Sequence, residues 1–157
     1  DDIFPLLSKH FEQIAMAKVS ASALEAKEMG YLKSEDVIIA NPNELLYVAK
    51  QQAIAMLESG FRSPLDDTFK VVGKAGYANI MAQVANLFEG SFMSQHDKYC
   101  ISSLAKVMTG SLVEENTVVN SKMLLDLEQK YFVELLGTQK TQDRIEFMLR
   151  NSKPLRN

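Results

Sequence analysis

The sequence contains a single cysteine, Cys100, and no tryptophan. One thiol excludes an internal disulfide and fits a reducing compartment, so we expect a cytoplasmic protein. No apolar run approaches the roughly 20 residues that cross a bilayer, and no membrane span is expected. The acidic start at residues 1–5 (DDIFP) does not resemble a signal peptide and lacks an initiating Met. We therefore expect the 157-residue chain to have been cut from a longer polypeptide.

An excess of positive charge is also missing. The net charge is −3 and the pI is about 5.4. Without the basic stripe that a phosphate backbone requires, nucleic-acid binding is not expected. Hydrophobic residues make up 46% of the chain and charged residues 24%, close to the average for a soluble globular protein. This apolar content can offset the entropy of ordering, so we expect a folded domain or a domain-sized fragment.

Helix signals dominate the chain. Seven segments carry either apolar residues at intervals of three and four or clear start and stop residues. They cover about 3–16, 22–30, 41–60, 77–90, 94–110, 120–137 and 141–150. Pro154 ends any helical continuation after the last of them. The prediction is an all-α fold of six or seven helices.

Several of these boundaries have a specific chemical basis. Ser22 and Glu25 have the spacing of a capping box, and Gly30 tolerates the left-handed conformation that closes a helix. Asn41 followed by Pro42 is a second start signal, with Asn as the cap and Pro at the first helical position. The helix behind it has a single apolar face, formed by Leu45, Leu46, Ala49, Ala53, Met56 and Leu57.

Strand signals are few. Residues 37–39 form a brief β-branched run that predicts one short strand, and residues 69–72 are predicted to be extended. At most one or two very short strands are therefore expected. The irregular stretch 60–75 predicts three segments: an N-terminal helical unit at 1–59, a connector at 60–75 and a C-terminal helical bundle at 76–157.

The residues offer little catalytic chemistry. His96 and Cys100 are four apart and share one helix face, a spacing that can hold two metal ligands. No second pair completes a tetrahedral site, since the other histidine is His10, so a partly buried pair is the ordinary explanation and no metal is expected. The sequence Gly73-Lys74-Ala75-Gly76 lacks the order of a P-loop or of a dinucleotide-binding loop, and it is better explained as a flexible loop.

Paired carboxylates at Asp66-Asp67 and Glu114-Glu115 could in principle do acid–base work. Surface placement explains both pairs more simply. The 8 methionines are spread over several helices, which indicates core packing and not a cofactor site. On chemistry alone the chain is a helical domain without a catalytic site.

Two stretches resemble a known family. Residues 14–32 (IAMAKVSASALEAKEMGYL) are similar to the crotonase segment usually written LLLTGRPISAEEALRLGLV, with matches at Ser22, Ala26, Gly30 and Leu32. Residues 131–138 and 144–149, followed by Lys153-Pro154, resemble the closing helices of crotonases. The whole chain is similar to the C-terminal region of long bacterial 3-hydroxyacyl-CoA dehydrogenases of fatty-acid β-oxidation. In this comparison, residues 60–120 correspond to an insertion that ordinary crotonases lack.

The resemblance implies a function for a longer enzyme. Its dehydrogenase half would oxidise a 3-hydroxyacyl-CoA with NAD, and its enoyl-CoA hydratase half would add water to a 2-enoyl-CoA. The catalytic residues of both halves would lie upstream of Asp1, so none is assigned here. The resemblance also implies that Lys153 and Phe147 contact CoA, that the rest of the polypeptide is a partner, and that the enzyme forms a homo-oligomer.

Two alternatives stay open. The first is a non-catalytic helical protein-interaction module unrelated to CoA, favoured by the strong apolar stripes. The second is an enzyme of another type that uses His96 or His10.

Overall fold

The computed structural model describes residues 3–63 and 68–157. Over these residues it contains seven α-helices and one sheet of two short strands, which confirms the predicted all-α class. The helices are α1 (Phe4–Ala15), α2 (Ala23–Met29), α3 (Leu45–Glu58), α4 (Gly73–Glu89), α5 (Gln95–Met108), α6 (Ser121–Leu136) and α7 (Gln139–Asn151). The strands are β1 (Thr68–Lys70) and β2 (Val118–Asn120), and a 3₁₀ turn at Pro42–Glu44 precedes α3.

The chain divides into two compact units. The larger unit consists of residues 1–17 and 66–157, and the smaller unit consists of residues 18–65. This division differs from the segments 1–59, 60–75 and 76–157, which stay a prediction about domains.

The larger unit is built around α5. This helix packs against α1, α4 and α6, and the core between them contains Phe11, Ile80, Val84 and Ala105. Ile80 is 1% exposed and Ala105 is fully buried. β1 and β2 pair antiparallel, with Phe69 opposite Val119.

Two glycines are required by close approaches in this unit. Gly73 and Gly110 both have positive φ angles, of +54° and +78°. A Cβ at Gly73 would lie 2.3 Å from the carbonyl oxygen of Val113, and one at Gly110 would lie 2.7 Å from a methyl group of Val71. Only glycine fits both the backbone conformation and the space.

The smaller unit is held by local contacts. The Ser22 hydroxyl accepts a hydrogen bond from the Glu25 amide, so Ser22 caps α2 as predicted. The Glu25 carboxylate accepts from the amide of Ala21, whereas in a strict capping box it would accept from the amide of Ser22. The Tyr31 hydroxyl donates to the carbonyl of Lys18 at 2.8 Å. Helix α3 has no buried residue.

Two boundary predictions are wrong. Residues 37–39 form no strand, because a strand needs a neighbouring strand to pair with, and Val37 and Ile38 are instead 58% and 38% exposed. Helix α4 begins at Gly73 and not near Tyr77. The first turn of α4 contains two glycines and a lysine, so it shows no apolar residues at helical spacing. Hydrogen bonds from its amides to carbonyls distant in sequence stabilise its start.

Candidate functional site

The best-organised polar group of the chain joins the start of α5 to α7. We call it the α5–α7 cluster: Ser94, His96, Asp97, Thr141, Arg144 and Asn157. Ser94 caps α5 with a complete capping box, in which its hydroxyl accepts from the Asp97 amide and the Asp97 carboxylate accepts from the Ser94 amide. This local motif places His96 and Asp97 in the first turn of the helix.

Asp97 links the two helices through an ion pair. Its carboxylate lies 2.8 Å from the guanidinium of Arg144, and the two side chains are 25% and 22% exposed. Arg144 also donates to the side-chain oxygen of Asn157 at 2.8 Å, and the Ser94 hydroxyl donates to the carbonyl of the same residue. Burial acts to raise the pKa of Asp97, but hydrogen bonds from Ser94 and Arg144 outweigh it, and the pKa is lowered. The carboxylate is therefore ionised at neutral pH.

His96 is buried beside this pair, at 6% exposure. Its Nε2 lies 3.0 Å from the hydroxyl oxygen of Thr141 on α7. Burial lowers the pKa of His96, and the positive charges of Arg144 and Lys140 lower it further, against the opposing effect of Asp97. The ring is thus neutral at pH 7 and forms a hydrogen bond within the protein.

A largely apolar groove of about 620 Å³ adjoins the cluster. Its lining includes Met16, Leu87, Phe92, Met93, Cys100, Ile101, Arg144, Leu155 and Arg156. Burial raises the pKa of the Cys100 thiol, so the sulfur is protonated at neutral pH and is a poor nucleophile. The groove can hold an apolar group beside a guanidinium, and its lining offers no activated nucleophile.

His96 and Cys100, which have a spacing that can hold two metal ligands, are not joined by further ligands. Among residues 3–63 and 68–157 no group of three or more His, Cys, Asp or Glu could hold a metal ion. His96 is bonded to Thr141, and His10 Nδ1 lies 2.8 Å from the side-chain oxygen of Gln13.

The glycine-rich start of α4 does not form a phosphate cradle. The amides of Gly73 and Lys74 donate to the carbonyls of Thr109 and Val113, and the amide of Gly76 donates to Val72. These N–H groups are already satisfied by the protein, so they are not available to a nucleotide phosphate.

The acidic candidates do not converge on one site. Glu114 forms an exposed ion pair with Lys74, and Glu115 lines a separate cavity of about 340 Å³ with Asn116. The pair Asp66-Asp67 lies outside the described residues.

The two predicted CoA contacts lie near the end of the chain. Phe147 is half-buried on α7, and its carbonyl accepts from the Asn151 side chain at 3.0 Å. Lys153 is exposed just after the helix, where Ser152 adopts a left-handed conformation. Neither side chain lines the groove.

The last segment of the chain has the opposite charge to the whole. Residues 139–157 contain five cations (Lys140, Arg144, Arg150, Lys153 and Arg156) and two acids (Asp143 and Glu146), a net charge of +3 against −3 for the complete chain. Sequence reasoning missed this asymmetry, although a count over α7 and its tail finds it. It also missed the contact of Asp97 with Arg144. The capping-box spacing of Ser94 and Asp97 indicates that Asp97 lies in the first turn of a helix, but it does not indicate Arg144 as a partner.

The comparisons with known proteins give one specific match. The chain is 43% identical over 149 residues to a Bacillus subtilis (strain 168) protein named "Probable 3-hydroxyacyl-CoA dehydrogenase". The match covers 95% of this chain and falls in the C-terminal part of that protein, of which it spans about a fifth, 19%. No protein-family model matches the chain, and no solved structure matches it. No helix of the described residues is both long enough and apolar enough to cross a membrane.

Proposed function

We propose that this chain is the C-terminal helical part of a cytoplasmic 3-hydroxyacyl-CoA dehydrogenase with an enoyl-CoA hydratase half, and that it supports acyl-CoA binding, domain packing or oligomerisation without turnover of its own. The observation that carries the proposal is the 43% identity over nearly the whole chain to the C-terminal part of the Bacillus protein. An identity at this level along 149 residues supports a shared fold and a shared place in a longer enzyme.

The NAD that such an enzyme uses would bind outside this chain. The described residues do not fit a dinucleotide, because the amides of Gly73, Lys74 and Gly76 donate hydrogen bonds to protein carbonyls and are not free to face a pyrophosphate. No step of the oxidation is assigned to residues of this chain.

The acyl-CoA substrate is a different case, because the chain offers suitable charge. The phosphates of CoA are anionic, and the +3 segment at 139–157 presents exposed cations to them. Within this segment Lys153 and Arg150 are exposed, while Arg144 is held by Asp97 and Asn157. Lys153 is the proposed phosphate contact, and Phe147 is the proposed aromatic contact for the nucleotide.

The test uses two proteins, the 157-residue chain and the longer polypeptide. The isolated chain is expected to show neither NAD-dependent oxidation of 3-hydroxyacyl-CoA nor hydration of crotonyl-CoA, and the longer polypeptide is expected to show both. Robust activity of the isolated chain would contradict a supporting role. Absence of dehydrogenase activity from the longer polypeptide would contradict the assignment itself.

The proposed CoA contact has a matched control. Lys153→Ala in the longer polypeptide is expected to raise KM for the acyl-CoA by roughly tenfold, the value of one charge-assisted phosphate contact, with little change in kcat. Lys122 is also an exposed lysine, but it pairs with Asp126 on α6, so Lys122→Ala is expected to leave KM unchanged. Equal effects of the two substitutions would exclude a specific role for Lys153.

A second candidate function is a helical interaction module unrelated to CoA. It is favoured by the exposed apolar residues of α6, among them Leu125 and Phe132 at 61% and 56% exposure. Calorimetric titration of the longer polypeptide with CoA separates the two candidates, since CoA binding that Lys153→Ala weakens about tenfold is incompatible with a module that does not bind CoA.

A further inference from the structure

The groove beside the α5–α7 cluster lies within the larger unit, since every residue of its lining falls in 15–17 or 87–156. Its walls come from the ends of α1 and α4, the middle of α5, and α7 with the residues that follow it. Its volume of about 620 Å³ is in the range of small-molecule sites. One turn of an α-helix with its side chains occupies about 400–600 Å³, so the groove has room for a slender ligand and not for a docked helix of several turns.

Most of the lining is apolar and adaptable. Met16 and Met93 contribute flexible thioether side chains, which adjust their shape to an apolar ligand. The charged residues of the lining are Asp97, Arg144 and Arg156, and none of the described residues that line the groove is Ser, Thr, Asn, Gln, His or Tyr. A sugar or a nucleobase needs several such neutral donors and acceptors, so it fits this lining poorly. A hydrocarbon chain needs none of them.

The charge of the lining favours an anionic ligand. Asp97 and Arg144 are paired at 2.8 Å, so their charges oppose each other. Arg156 is exposed and forms no hydrogen bond or ion pair with the part of the chain that the structure describes. The lining therefore carries one unopposed positive charge, within the segment 139–157 whose net charge is +3. A carboxylate on the ligand would supply the opposite charge.

The wall that contains Arg156 is held in place by the residue that follows it. The side-chain oxygen of Asn157 accepts from Arg144 at 2.8 Å, and its carbonyl accepts from the Ser94 hydroxyl at 2.8 Å. The side-chain amide of Asn157 donates to the carbonyl of Lys140 at 3.3 Å. A wall fixed in this way loses little conformational entropy when a ligand binds, which favours binding.

We propose that the groove binds an unesterified fatty acid, with its alkyl chain along the apolar lining and its carboxylate at Arg156. In a fatty acid the carboxylate is bonded directly to the alkyl chain, so its charge can lie at a cation of the lining itself. In an acyl-CoA the thioester is neutral, and the long pantetheine arm separates the phosphates from the alkyl chain. The acyl-CoA would therefore leave the charge of Arg156 unmatched. This site is additional to the proposed CoA contacts at Lys153 and Phe147 and does not depend on them.

Photolabelling of the longer polypeptide tests the site, with a decanoate that carries a diazirine on its chain as the probe. Mass spectrometry of the peptides is expected to find labels around Met93 and Ile101, and an excess of plain decanoate is expected to remove them. Labels only elsewhere would overturn the proposal, whether residues 18–65, the preceding polypeptide or a second copy covers the groove. The same photoreactive chain carried as a CoA thioester is the comparison probe. Equal or stronger labelling of the groove by this thioester would make the acyl-CoA the ligand and overturn the assignment to a fatty acid.

The substitution Arg156→Gln measures the role of the charge, with decanoate and decanol as competitors of the photolabel. It is expected to weaken decanoate binding by roughly tenfold, the value of one charge-assisted contact, and to leave decanol binding unchanged. The matched control is Arg150→Gln, because Arg150 is an exposed cation of the same segment that pairs with Glu146 and does not line the groove. Equal effects of the two substitutions on decanoate, or an equal loss for decanol, would overturn the carboxylate contact at Arg156.

The chain length of the ligand tests the apolar lining separately. Each methylene added between hexanoate and decanoate is expected to tighten binding by about twofold to fourfold, which corresponds to half to full burial of the added group. Binding that does not depend on chain length would overturn the placement of the alkyl chain. These measurements need no turnover, so a failed dehydrogenase assay would overturn the proposed function and leave the fatty-acid site supported.

Discussion

Replacement of Asp97 by Ala is expected to destabilise the chain far more than loss of an ordinary surface acid. The substitution removes the acceptor for the Ser94 amide at 3.0 Å and the partner of Arg144 at 2.8 Å. A helix cap contributes about 1 kcal/mol, and a hydrogen bond to a charged group contributes about 1.5–3 kcal/mol. Because one carboxylate makes both contacts, the two values overlap, and we expect a loss of about 2–3 kcal/mol.

The matched control is Asp126→Ala. Asp126 also pairs with a cation, Lys122 at 2.7 Å, but the two side chains are 59% and 77% exposed. Such a pair one helical turn apart contributes about 0.3–0.5 kcal/mol. Urea unfolding followed by circular dichroism measures both variants, and an unchanged dependence on urea concentration shows that the free energies are comparable.

The pH dependence gives an independent check on the same carboxylate. The fold lowers the pKa of Asp97 below its ordinary value of 3.8. A lowered carboxyl pKa stabilises the fold above the unfolded pKa, and this stability is lost as the pH falls through the folded pKa. The difference between the parent chain and Asp97→Ala should therefore shrink below about pH 4. If Asp97→Ala costs no more than Asp126→Ala at pH 7, the cluster does not hold α5 to α7 and the reasoning fails.

Two further variants test the neighbouring groups. The fold lowers the pKa of His96 below its ordinary value of 6.5, so the unfolded chain binds a proton at a higher pH than the folded chain does. The free energy of unfolding should therefore decrease as the pH falls from 6.5 towards the pKa of the folded state. His96→Gln should remove this decrease, which urea unfolding at several pH values measures. If the free energy of unfolding of the variant depends on pH as steeply as that of the parent chain, buried His96 is not the cause of the decrease. Ile80→Ala, at a site 1% exposed, should cost about 2–5 kcal/mol in urea unfolding. Leu125→Ala on the exposed face of α6 should cost less than about 0.5 kcal/mol, and similar losses for the two would argue against the core assigned to α4.

The sequence predicted the parts of the fold that depend on local chemistry. The helices predicted over about 94–110 and 120–137 are α5 and α6. Ser94 and Asn120 cap them, and a capping bond joins residues only two or three apart, so it depends on local sequence. The start of α4 was missed, since its stabilising partners Thr109 and Val113 are distant in the chain. The strand predicted at 37–39 failed for the same reason, because a strand depends on a partner that local sequence does not reveal.

The candidate site was harder to predict than the helices. The identity of Asp97 as a first-turn acid could be inferred, but its contact with Arg144 joins residues far apart in sequence. The periodicity of α3 predicted the helix correctly and carried no information about what covers it. The proposed roles of Lys153 and Phe147 stay predictions that come from the family resemblance.

The pairing of β1 with β2 gives the larger unit a closed loop. Phe69 meets Val119, and the chain between them contains the whole of α4 and α5. Three β1–β2 residue pairs, and backbone hydrogen bonds of Val71 with Thr117 and Asn116, close this loop at its base, whereas core side chains hold the two helices inside it along their length. A cleavage between Phe88 and Ser94 would therefore leave the two pieces held together by the β1–β2 pairs and by the packing of α4 on α5.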